Sequence, residues 1–439
     1  MNNLEKIIKT TENMQDSYTF GYISGVSGLV IQAKGLPNAA VGSICIIENT
    51  LKEKFNAEVI GFKDDVCLLM PFNSISGIGL GCKVYFKEIT STISPSASYI
   101  GRVLNALGEP IDGKGPIIPG ITQKPVKTLA PLASGRGKIQ GKLDVGVRTL
   151  NTFLTLCKGQ RMGIFAGSGV GKSTLMGMIA KFCSAEVNVI CLVGERGREV
   201  TEFIEDTLGE DALSKSVVIV ATGDEPALMR RQAAYTATTI AEYFADTGNA
   251  VILMMDSVTR FAMAQREIGL SAGEPPTSKG YTPSVFAELP QLLERSGPRA
   301  KDKGTITAIY TVLVDGGDMD EPIADAVRGF LDEHIVLSRK LAEQGHFPAI
   351  DILKSVSRSM PGCNSDSESE IINKAKSLYS RYNDMEEIIR LGAYNKGSDP
   401  DLDKAIDLNP AICQFLKQKN SEHASFDQCY SSLNQIVAK

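Results

Sequence analysis

At 439 residues the chain is too long for one ordinary domain and predicts two or three. Its 43% hydrophobic and 22% charged residues are the balance of a globular protein, and no run approaches the roughly 18 apolar residues that span a bilayer. With 46 basic against 51 acidic residues the net charge is −5, which speaks against a dedicated nucleic-acid binder.

Residues 1–17 carry Leu4, Ile7, Ile8 and Met14 at near-helical spacing. They predict either a short amphipathic segment that needs a partner surface, because so short a helix is marginal alone, or a frayed terminus. Met1-Asn-Asn-Leu-Glu-Lys6 shows no signal peptide, so the expectation is a cytoplasmic protein, at most peripheral to a membrane. Over 18–92 the pattern turns to short β-rich runs, such as Leu29-Val-Ile-Gln-Ala33, separated by Gly, Asn and Lys-Asp turns. This predicts a small antiparallel barrel. A loop-rich stretch, Gly108 to Pro119, follows.

From about residue 145, strand candidates at 161–166, 188–193, 216–221, 250–256 and 305–314 alternate with helical segments. Such alternation predicts an α/β core over 93–365: a mostly parallel sheet with helices on both faces. After Cys363 the strands stop, and 366–439 reads as a helical domain. Nine cysteines stand singly without a CxxC pair, which predicts free thiols in a reducing compartment. Three histidines lack the spacing of zinc ligands.

The strongest local signal is Met162-Gly-Ile-Phe-Ala-Gly-Ser-Gly-Val-Gly-Lys-Ser-Thr174. An apolar strand breaks into glycines, and Lys172-Ser173 opens a helix. That is the strand, phosphate loop and helix of a nucleotide triphosphatase. Gly167, Ser168, Gly169, Val170 and Gly171 would turn backbone N–H groups toward a triphosphate at the helix N-terminus. Lys172 would reach the β- and γ-phosphates, and Ser173 would bind Mg²⁺ beside Thr174. Ala166 stands where the strict pattern has glycine, a small residue for a small residue.

Two further strands end in acids. Val187–Val193 runs into Gly194-Glu195-Arg196-Gly197-Arg198-Glu199, and Glu195 at that strand's carboxyl end is placed to polarise the attacking water. Ala250–Asp256 is an apolar run closed by Asp256, the candidate for the second Mg²⁺ element, expected to act through water, with Arg260 one helical turn on. In Pro348-Ala-Ile-Asp-Ile-Leu-Lys-Ser-Val-Ser357-Arg358, spacing alone assigns Arg358 nothing beyond a loop cation.

Taken together, the phosphate loop, Gly194-Glu195-Arg196, Asp256-Ser-Val-Thr-Arg260 and the Pro348–Ser357 block resemble, in order and spacing, the catalytic subunits of rotary ATPases and the related ATPases of type III protein export. Gly194–Val200, Met263–Ile268, Gly273–Pro276, Gly280–Phe286 and His334–Arg339 resemble the flagellar export branch. The resemblance implies a RecA-like P-loop core between an N-terminal β-barrel and a C-terminal helical domain. It implies ATP and Mg²⁺ as substrate and cofactor, and a homohexameric ring. Glu195 becomes the catalytic base, with Arg196 and Glu199 as neighbours. Arg358 becomes an arginine finger reaching an adjacent subunit, and Phe347 an aromatic against adenine.

The same resemblance implies a regulatory stator-like protein at the N-terminus. It also implies an export gate, a stalk protein, export substrates and chaperones as partners, with peripheral attachment to the inner-membrane apparatus. A virulence secretion ATPase is the alternative. A synthase subunit is disfavoured by Ala393-Tyr-Asn-Lys-Gly-Ser-Asp-Pro400, where an acidic rotor-engaging segment would stand. An RNA-translocating hexamer is disfavoured by the few aromatics and missing basic cluster of 17–90.

Overall fold

The computed structural model describes residues 20–73, 76–139, 141–300, 303–314 and 317–438. The amphipathic segment expected at 1–17 lies outside them. Two compact units emerge. The first ends at Thr92 and also takes in Pro226–Leu228 and Glu267–Glu274; the second holds the rest.

In the first unit six strands close an antiparallel barrel: Phe20–Ser27, Val30–Lys34, Ile44–Glu48, Lys54–Lys63, Val66–Pro71 and Lys83–Glu88. The period-two pattern explains closure. Ile31 and Ala33, Cys45 and Ile47, Ala57 and Val59, and Cys67 and Leu69 point inward and form one buried core.

The second unit is built on a nine-stranded sheet. Its spatial order is Val356–Ser357, Glu333–Val336, Arg161–Ala166, Thr305–Leu313, Ala250–Asp256, Val187–Val193, Ser216–Ala221 and Arg102–Leu104, with Gly297–Pro298 paired beside Thr305–Leu313. All pairings are parallel except those of Val356–Ser357 and Gly297–Pro298. Every residue of Val187–Val193 and Ser216–Ala221 is buried, as a sheet covered on both faces requires. Arg102–Leu104, Glu333–Val336 and Val356–Ser357 are strands that sequence periodicity did not predict. With two to four residues each, they carry too little alternation to be read.

Three long helices follow Cys363. Asp366–Arg390 starts at a capping box of Ser365 and Glu368. Pro400–Leu416 is capped by Asp399, and Phe426–Val437 by a box of Ser425 and Gln428. Their apolar faces join the core of the sheet unit. Phe415 meets Phe153 edge to face, and Ile412, Leu433 and Val437 belong to the same cluster as Leu150 and Leu154.

The cysteines correct one expectation. Cys157 and Cys363 form a disulfide with Cα atoms 6.6 Å apart, while the other seven are free. Their separation of 206 residues left no local pattern to reveal the pairing.

One buried ion pair fixes the helix that leads into the Asp256 strand. Arg295, fully buried, donates to both carboxylate oxygens of Glu242, at 3.0 and 2.7 Å, and to Val126 O and Thr239 Oγ1. Removing one partner strands the other charge. Arg299 remains 3.7 Å from Glu242, so Arg295→Met is expected at the low end of the usual loss, about 3 kcal/mol. Urea denaturation of the purified variant measures it.

Candidate active site

The phosphate-loop strand, Arg161–Ala166, delivers its carboxyl end to a turn that only glycine fits well. Gly169 has φ +76° and Gly171 φ +91°, both left-handed. Gly171 serves as the N-cap residue of the helix Lys172–Phe182. The first N–H groups of that helix have no intrahelical partner and point out of the turn. A Cβ on Gly171 would meet the Phe347 ring at 3.4 Å, so the loop and the aromatic are in close contact. Arg339 braces the turn from behind, donating to Ser168 O at 3.5 Å.

Lys172, Glu195 and Asp256 converge here. The Lys172 ammonium donates to Asp256 Oδ1 and lies 3.6 Å from Glu195 Oε1. Their side chains are only 12%, 17% and 5% exposed, so these charges act on one another with little screening by water. Thr311 on the neighbouring strand donates to Asp256 at 2.7 Å and fixes the carboxylate. Glu195 follows Gly194, whose φ is +71° and whose Cβ would press on Arg260 at 3.1 Å. Burial first, and then the charge of Asp256, push the Glu195 carboxyl up to about 7, against the pull of Lys172.

One cavity, of about 560 Å³, is lined by the phosphate loop with Lys172, Ser173 and Thr174, by Glu195, Arg196 and Glu199, and by Arg260. Arg196 is strongly exposed and pairs with Glu199 at 3.3 Å. Phe347, 46% exposed, lines a second cavity that shares Gly171 and Thr174 with the first and adds Met178, Arg148 and Gln418. Gln418 N donates to Phe347 O at 2.9 Å, and Gln418 Oε1 accepts from Arg148 N at 2.7 Å. Arg148, Gln418 and Thr311 were not singled out from sequence, where no spacing links them to the loop. Arg358 is exposed and lines neither cavity. The sequence expectations are thus brought together with that one exception.

The residues suit a magnesium nucleotide. A left-handed glycine cradle, a largely buried ammonium and unpaired helix N–H groups suit phosphate. A hydroxyl at Ser173 and a carboxylate at Asp256 are the hard oxygen donors that Mg²⁺ takes together with phosphate oxygens. Among the described residues no cluster of three or more His, Cys, Asp or Glu side chains forms a metal cage. No described helix is long and apolar enough to cross a membrane.

Known proteins share this architecture. The model of the ATP synthase alpha/beta family, nucleotide-binding domain, matches residues 146–357. The beta-barrel domain of the same family matches 23–88, and the T3SS EscN ATPase C-terminal domain matches 365–435. The flagellum-specific ATP synthase of Caulobacter vibrioides is 51% identical, over 99% of both chains. That of Bacillus subtilis is 52% identical, over 97% of both. The assembled ATPase EscN of the enteropathogenic E. coli type III secretion system superposes with a TM-score of 0.90 at 43% identity, over 95% of this chain and 100% of EscN. In complex with its central stalk EscO, EscN superposes at 0.88 with the same identity and coverage. The chain therefore belongs to the ATP synthase alpha/beta family. Within that family it stands in the branch of the flagellum-specific ATP synthases and type III secretion ATPases.

The Glu195 environment gives a direct electrostatic prediction. Its carboxyl should titrate near 7 in the nucleotide-free protein, and Lys172→Met should move it higher by removing the cation that lowers it. Infrared difference titration against Glu195→Gln reads both. A titration in the ordinary carboxylate range would contradict the burial.

Proposed function

We propose that this chain is the ATP-hydrolysing motor subunit of a flagellar type III protein export apparatus, and that Lys172, Glu195 and Asp256 carry its chemistry. The observation that carries the reading is the convergence of these three side chains at the carboxyl ends of three strands of one parallel sheet, around a glycine turn. The level of identity to flagellum-specific ATP synthases favours the flagellar system over a virulence system.

Lys172 and the N–H groups of the turn hold the triphosphate. Ser173 and Asp256 would hold Mg²⁺, which would neutralise charge on the phosphates. Water adds to the γ-phosphorus, its proton passes to the Glu195 carboxylate, and the bridging oxygen leaves on ADP. A carboxyl near 7 is well matched to that proton at neutral pH. Arg196 and Glu199 flank the base, and Arg260 adds positive charge at the cavity wall. Phe347 offers its ring to the adenine, since the base needs stacking while the phosphates take the charges.

Arg358, exposed and outside the cavity, acts in the site of an adjacent subunit, as an arginine supplied in trans does in other phosphate-cleaving sites. Self-assembly into a ring and engagement of a stalk follow the example of EscN, which is known assembled and in complex with EscO. A stator-like regulator at the N-terminus, the export gate, export substrates and chaperones complete the partners, with the motor in the cytoplasm against the inner-membrane apparatus.

Lys172→Ala should abolish hydrolysis. Glu195→Gln should keep MgATP affinity while single-turnover hydrolysis falls by about 10²–10⁴-fold, since the amide keeps shape but accepts no proton. Parallel loss of affinity and turnover in Glu195→Gln would make that residue structural.

A further inference from the structure

Below the Arg358 backbone lies a buried polar pair that the chemistry above does not use. Gln160 is fully buried and Glu333 is 2% exposed. Gln160 Nε2 donates to Glu333 Oε2 at 2.8 Å and lies 3.4 Å from Ser357 Oγ. Glu333 sits opposite Ser357 in the short antiparallel pairing that carries Val356–Ser357 at the sheet edge. Ser357 Oγ also accepts from Met360 N at 3.2 Å, and Arg358 N donates to Asp332 O at 3.2 Å. Arg358 is thus held on both sides: Ser357 ties to Glu333 and Gln160, and its own amide ties to the residue before Glu333.

Gln160 is itself fixed. Its Oε1 accepts from Cys157 N at 2.8 Å, its N–H donates to Cys157 O at 3.1 Å, and its carbonyl accepts from Ala308 N at 2.9 Å. It immediately precedes the Arg161–Ala166 strand, so one strand carries the phosphate loop at its carboxyl end and Gln160 at its amino end.

A carboxyl in this place is costly. Among the described residues Glu333 Oε1 has no hydrogen-bond partner, and burial pushes the group well above the usual carboxylate range. An apolar residue would pack a two-residue edge strand at lower cost. What the polar pair adds is direction, because hydrogen bonds fix where Ser357 and the next residue stand.

We propose that Gln160 and Glu333 are positioning residues for Arg358, holding through Ser357 the backbone from which that guanidinium reaches the adjacent subunit. The inference rests on the trans role of Arg358 given above. A guanidinium misplaced by about 1 Å loses most of its effect on the transition state, on the order of 10²-fold in rate, with little effect on nucleotide affinity.

The test is steady-state ATP hydrolysis by the assembled full-length protein, in excess reductant so that the Cys157–Cys363 bond does not hold the segment instead. Glu333→Ala is expected to lower kcat by up to about 10²-fold with KM unchanged. Glu333→Gln, which keeps an acceptor for Gln160, should restore most of it. Adding Glu333→Ala to Arg358→Ala should cost nothing further, because both act through one group. Ser357→Ala, a milder change at a half-buried position, should give the same kcat-only loss and stands in if Glu333→Ala fails to assemble.

Full activity of Glu333→Ala or Ser357→Ala beside an inactive Arg358→Ala overturns the positioning role alone. Multiplicative loss in the double variant also overturns it, as does an equal loss of kcat and affinity. Near-normal turnover of Arg358→Ala would instead overturn the reading on which the inference rests.

Discussion

A lysine caught between two carboxylates organises this molecule. Lys172 opens a helix, Asp256 closes one strand and Glu195 follows another, yet the three side chains meet with little water between them. Bringing three charges out of water is unfavourable unless they neutralise one another and are hydrogen-bonded. Here one cation faces two anions, Thr311 donates to Asp256, and Glu195 yields by holding its proton up to about 7. The parallel sheet makes this possible, since it aligns several carboxyl ends along one edge. Its interior strands, Val187–Val193 and Ser216–Ala221, are buried at every residue, which fixes their register firmly.

The same geometry divides labour in the proposed reaction. Groups that bind phosphate stand on the turn of Gly167–Lys172 and at the helix start, while the group that takes the proton stands on the next strand. Phe347 lines a separate cavity that shares Gly171 and Thr174 with the charged one, so the stacking surface adjoins the charges across the turn. Arg358 stands apart from both, and in the proposed function this makes a lone subunit an incomplete catalyst.

Local order in the sequence revealed what local order builds. The phosphate loop was legible because strand, glycines, Lys-Ser and helix are contiguous. Asp256 and Glu195 were legible because each ends an apolar run. The barrel was legible from short β-rich runs separated by turns, and the C-terminal helices from the end of the strands after Cys363. Contacts formed by distant segments left no trace of that kind. Cys157 and Cys363, Gln160 and Glu333, and Gln418 against Phe347 meet only through the fold. The edge strands Glu333–Val336 and Val356–Ser357 are too short to impose a pattern, and their pairing depends on the sheet already being there. The role given to Arg358 came from resemblance, since an exposed loop arginine carries no signal of its own.

The central claim is that each catalytic centre joins Lys172, Glu195 and Asp256 of one subunit to Arg358 of the next. Mixing Glu195→Gln with Arg358→Ala subunits, disassembled and reassembled together, tests it most directly. Where an Arg358→Ala subunit supplies Glu195 and its Glu195→Gln neighbour supplies Arg358, the centre is whole. The account predicts ATP hydrolysis in the mixture well above the sum of the two separate variants. A mixture no more active than that sum would contradict it.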